Sequence, residues 1–159
     1  MKNIEKYYIY DKEIPKVNKG NEASVYLKYI IDNYENLPDF TFFIHDEEYA
    51  WHHSCSIINL LDEAIMSNKL YYNINDKNIL GSIVTNPWYN DILIWYNTYI
   101  EKYIPINTLP NKDWTPNYRG STQFLVHKSL ITNLPLEFYE NLYNWLITTD
   151  MTSAKSGRF

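Results

Sequence analysis

The chain has 159 residues, 45% of them hydrophobic, which fits one domain over 1–159 with a real core and is too apolar for a disordered segment. Its net charge of −5, with Arg119 and Arg158 the only arginines, argues against a nucleic-acid partner, because phosphate binding needs clustered positive charge. Cys55 alone rules out an internal disulfide, and no stretch approaches the roughly 18 apolar residues of a membrane span, so an intracellular domain with no membrane partner is expected.

Tyr7 to Tyr10 form a short aromatic and β-branched run suited to an edge strand, broken by Pro15 and the Asn18-Lys19-Gly20-Asn21 cluster. Glu22 then opens a helix, its charge matched to the positive end of the helix dipole. Ala23, Tyr26, Leu27, Ile30, Ile31 and Tyr34 fall on one stripe, and Asn36-Leu37-Pro38 ends it. Phe40–Ile44 is continuously apolar, as a buried strand would be, and stops at His45-Asp46-Glu47-Glu48. A second helix is predicted from Ser54 or Ser56 to Ser67, with Ile57, Leu60, Leu61, Ala64 and Ile65 inward.

Leu70–Ile74 reads as a strand, and Leu80–Val84 as a strand or part of a loop. Pro87 opens a third helix that runs to about Tyr103, with Ile92, Leu93, Tyr96 and Ile100 on one face. Pro105, Pro110 and Pro116 mark a long irregular stretch. Gln123–Val126 reads as a buried strand, Ser129 as the cap of a short turn, and Pro135 as the start of a last helix to Thr148. In that helix Phe138, Leu142, Trp145 and Leu146 face inward. The alternation predicts an α/β sandwich of two or three layers on a mixed, partly parallel sheet.

Three stretches carry a resemblance. The first is Asn18-Lys19-Gly20-Asn21-Glu22-Ala23 with Tyr26-Leu27, Ile30, Asn33-Tyr34 and Leu37-Pro38. The second is Phe43-Ile44-His45 with Trp51-His52. The third is Gln123-Phe124-x-Val126, Ile131, Pro135, Phe138-Tyr139 and Trp145-Leu146, ending in Ser156-Gly157-Arg158. In this order they resemble domain-of-unknown-function family 3431, whose pattern continues beyond the arginine with a Glu and a Trp-containing helix. That family's layout is similar to GT-A glycosyltransferases. The resemblance implies a GT-A-like fold, a nucleotide sugar or other phosphorylated small molecule as ligand, and Mn or Mg as cofactor.

Three constellations carry candidate chemistry. His45, Asp46 and Glu47 end a strand, with His52 and His53 close behind. Strand alternation puts His45 and Glu47 on one face, whereas a turn lets His45, Asp46 and His52 converge as metal ligands. A mixed N/O set suits Mn²⁺ or Zn²⁺, and carboxylates alone suit Mg²⁺. The bland alternative is a solvated turn. Asn18, Gly20 and Glu22 open a helix whose free N–H groups suit a diphosphate, or they are an ordinary helix start. Arg119 offers a fork-shaped donor for phosphate just before Gln123, or an internal ion pair on a surface loop.

Trp51, Trp88 and Trp114 either stack on a sugar ring or cover the core, and His127 is expected to be structural. Cys55 has no nucleophile setting, and no Gly-x-Ser-x-Gly elbow for a serine nucleophile is present. The resulting expectation is a glycosyltransferase-like domain with His45, Asp46 and Glu47 in catalysis. Asn18, Gly20, Glu22, Arg119, Gln123 and Trp51 would line the ligand, with Glu22 and Arg119 in the same cleft as His45. The alternative is a non-catalytic binding or interaction module.

Overall fold

The computed structural model describes residues 19–75, 80–81, 89–105, 118–119 and 122–156. The predicted strand at Tyr7–Tyr10, and Asn18, Trp88, Trp114 and Arg158, lie outside them.

The first helix, α1 (Glu22–Asn33), continues as a 3-10 turn over Tyr34–Asn36. It buries Tyr29 and Ile30 and presses Tyr26, Leu27, Ile31 and Tyr34 against the same core. Strand β1 (Phe40–Phe43) follows, then α2 (Ile57–Met66), β2 (Tyr71–Asn73) and β3 (Leu80–Gly81). Helix α3 (Tyr89–Tyr99), β4 (Tyr118–Arg119), β5 (Phe124–His127), α4 (Lys128–Thr132), α5 (Leu136–Thr148) and α6 (Ser153–Ser156) complete the order. Ser56 caps α2 by accepting from the Ile58 N–H. At α4 the cap is the His127 ring, not Ser129: its Nδ1 accepts from the Ser129 N–H. The structural role expected of His127 is thereby given a specific form.

The main sheet has the order β1-β5-β2, and both pairings are antiparallel. This corrects the expectation of a partly parallel sheet. β1 and β2 do run in the same direction, both antiparallel to β5, with α2 between them in the chain. β5, the last of the three in sequence, inserts between them and runs against both. Helical alternation constrained the direction of β1 and β2 but not which strand became their neighbour. β3 and β4 form a separate antiparallel pair, Leu80 opposite Arg119.

Register explains the layers. Phe43 stands opposite Phe124 and Thr41 opposite Val126, so these share one face. That face packs on Tyr29 and Ile30 of α1, Phe138 and Tyr139 of α5, and Tyr96 and Ile100 of α3 and its exit. Phe42, Leu125 and Tyr72 point the other way, onto Ile57, Leu61 and Ala64 of α2. The result is a helix–sheet–helix sandwich. β5 is covered on both faces, with Leu125 and Val126 both buried, whereas the outer strand β1 leaves Phe40 exposed, and Ile44 just beyond its end is exposed too. The predicted strands at Phe40–Ile44 and Gln123–Val126 therefore lie in one sheet as direct neighbours, the central one the more buried: Gln123, Leu125 and Val126 are buried and Phe124 is half-buried, whereas in β1 only Phe43 is buried.

Candidate functional site

Where β1 ends, the chain turns and the predicted histidines gather. The His45 backbone N–H donates to Gln123 Oε1 at 2.8 Å, and Gln123 Nε2 meets His52 Nδ1 at 3.2 Å. Gln123 is wholly buried, and His52, His53 and Asn75 are buried around it. The Gln123 backbone carbonyl accepts from the Ile74 N–H at 3.2 Å and from Asn75 Nδ2 at 3.3 Å. One residue at the start of β5 thus ties together the end of β1, the His52 loop and the end of β2. The rings of His45 and His52 meet edge to face at 5.3 Å, and His52 meets His53 at 5.2 Å.

Hydrogen-bond parity assigns the proton on His52. Gln123 Oε1 is taken by the His45 N–H, so its amide group must donate to His52 Nδ1. His52 is then a neutral imidazole protonated at Nε2. Burial, first, and the neighbouring His45 hold the His52 pKa below its ordinary value, and His53 adds to this, while a hydrogen bond with Asn75 and the Glu47 charge oppose it. The unfolded chain therefore binds more protons than the native one between the lowered native pKa and about 6.5. The associated stability is complete above about pH 6.5 and is lost as pH falls through the native value. Thermal unfolding followed from neutral to mildly acid pH should show this decline, and His52→Gln should flatten it. An unchanged slope in the variant would assign the acid loss to other groups.

Glu22 reaches the cluster from the first turn of α1. Its Oε1 lies 3.8 Å from His45 Nε2 and accepts from Thr122 Oγ1 at 2.6 Å. Trp51 is 82% exposed, its ring 5.3 Å from that of His52. His45, His52, Gln123, Glu22 and Trp51 are brought together. Asp46 and Glu47 are not part of the buried cluster: both are exposed on the turn. Among the described residues no three His, Cys, Asp or Glu side chains stand together as a group that could hold a metal ion by themselves. Arg119 is described only as backbone, and its side chain lies outside the described residues.

Gly20 has a packing role that the sequence did not indicate. Its φ is +72°, and a Cβ there would stand 2.7 Å from Leu146 Cδ2 and 2.8 Å from its Cγ. The glycine lets the loop before α1 lie directly on the buried Leu146 of α5, which aims Glu22 at the sheet end. His53, noted in the sequence behind His52, joins the cluster, and so do Thr122 and Asn75, which were not singled out as ligand-facing. Thr122 lay next to Gln123, and Asn75 followed a predicted strand, but neither spacing identifies a partner so distant in the chain. A separate groove of about 340 Å³ between α1 and α5 is lined by Lys28, Ile31, Glu140, Tyr143 and Asn144, none of them in this cluster.

Residues 2–159 match the family described as Protein of unknown function (DUF3431). The chain belongs to this family. No curated protein and no solved structure matches the DUF3431 chain. No helix among its described residues is long and apolar enough to cross a membrane.

Proposed function

We propose that this DUF3431 chain is a glycosyltransferase-like domain that binds a nucleotide sugar, or another phosphorylated small molecule, at the end of β1. The observation that carries the reading is the His45–Gln123–His52 network, with Gln123 and His52 buried and His45 half-buried, beside an open indole. Buried polar groups are costly unless fully paired, and an apolar core would stabilise the sheet end as well. A polar network there, with the 82%-exposed Trp51 at its edge, suits a ligand that has both hydroxyls and an apolar ring face. Glu22 and Thr122 add a carboxylate and a hydroxyl on the same side.

The exposure of Tyr49 and Met66, besides Trp51, supports the second reading, an interaction module without catalysis. Melting curves with UDP-glucose and UDP, each with and without Mn²⁺ or Mg²⁺, separate the two. A ligand present at a hundred times its Kd adds about 2.7 kcal/mol of stability, which gives a clear upward shift in melting temperature. We expect UDP-glucose to raise it without metal. No shift with any combination, and no heat of binding by calorimetry, would leave the interaction module as the reading.

A further inference from the structure

We infer that the gap between Glu22 and His45 seats one hydroxyl of a neutral sugar ring, so that this cluster takes the sugar end of the ligand and not its phosphates. The inference rests on the functional reading above and makes it specific. The 3.8 Å between Glu22 Oε1 and His45 Nε2 is too long for a direct hydrogen bond. It is the right span for a single oxygen placed about 2.8 Å from each.

The chemistry of the two walls selects that oxygen. An ionised carboxylate only accepts, so the bridging group must donate a proton to Glu22. On the other side the imidazole nitrogen either donates or accepts, according to its tautomer. A hydroxyl meets both demands. An ionised phosphate oxygen has no proton to donate and is repelled by the carboxylate.

Both walls are held in place before any ligand arrives. The His45 backbone is fixed by the buried Gln123, and Glu22 Oε1 by Thr122. His45 Nε2 is buried with no hydrogen-bond partner among the described residues, an arrangement that is costly unless something completes it. The two side chains are 27% and 30% exposed, so the gap between them borders solvent. The Tyr26 hydroxyl is a second buried group without a hydrogen-bond partner among the described residues. Burial, and then the charge of Glu22, raise its pKa, so it stays a protonated donor near the same carboxylate. Trp51, one ring beyond His52, offers the flat apolar surface on which the CH face of a sugar stacks.

The test uses the full chain and three probes: methyl α-glucoside, UDP and UDP-glucose. Saturation-transfer NMR reads the neutral glycoside, and calorimetry reads the nucleotides. In wild type the glycoside protons should receive saturation. Glu22→Ala should weaken glycoside and UDP-glucose binding about tenfold or more, as expected for loss of a hydrogen bond to a charged group, while UDP binding stays unchanged. Glu22→Gln keeps the side-chain shape and should fall between the two, with the melting curve of each variant confirming that it folds. Equal losses for UDP and UDP-glucose would overturn the assignment while leaving nucleotide-sugar binding intact. So would binding indifferent to Glu22, since the gap would then hold only water. Glycoside binding without any nucleotide binding would keep the hydroxyl seat and remove the nucleotide-sugar reading. If none of the three probes binds wild type, both fall.

Discussion

Gly20→Ala should lower the melting temperature by about 5–15 °C, taking roughly 2–4 °C per kcal/mol for a domain of this size. Two effects combine. With φ at +72° any residue with a Cβ enters the left-handed region, at about 1–2 kcal/mol. The new methyl also overlaps the Leu146 side chain, which is 2% exposed and cannot retreat into solvent, and overpacking of this kind costs about 1–3 kcal/mol. A double-mutant cycle separates them. Leu146→Ala alone should cost about 2–5 kcal/mol through the cavity it leaves. In the double variant the methyl introduced by Gly20→Ala occupies part of that cavity, so the combined loss should be smaller than the sum. Strict additivity would show that only the backbone strain is present. Because Gly20 lies two residues before Glu22, a displaced loop should also impair ligand binding.

Gln123→Leu is expected to have a comparable effect for the opposite reason. The volume is nearly kept, but the His45 N–H and His52 Nδ1 lose their partner together. Each buried polar group left unpaired costs about 1–3 kcal/mol, for a total of about 2–5 kcal/mol once some gain from apolar burial is allowed. Amide hydrogen exchange gives the local readout. The His45 amide should exchange much faster in the variant, while amides within α5 follow only the global change in stability. A His45 amide still protected in a folded Gln123→Leu variant would mean that the side chain is not what holds the end of β1.

Much of this architecture was legible in the chain because it depends on local periodicity. Tyr26, Leu27, Ile30 and Ile31 recur at helical spacing, and α1 buries that side of itself. Ile57, Leu61 and Ala64 do the same for α2. The runs at Phe40–Phe43 and Phe124–His127 are apolar enough to need cover, and they became adjacent strands. The convergence of Glu22 with His45 was also expected, since a helix start and a strand end both point to one edge of an α/β layer.

What tertiary structure alone decided concerns partners far apart in sequence. Nothing in Gln123-Phe124-Leu125-Val126 distinguishes an edge strand from a central one, and its place between β1 and β2 made the sheet antiparallel. That placement carried Gln123 inward, where its side chain bonds His45, 78 residues away, and His52, 71 away. The polar His45-Asp46-Glu47 stretch admitted either alternation or a turn, and only the fold sent Asp46 and Glu47 to solvent while keeping His45 at the cluster. Gly20 permits an unusual backbone in any sequence. That its missing Cβ serves close contact with Leu146, on a helix more than a hundred residues later, follows from packing, and packing is a property of volume that periodicity does not encode.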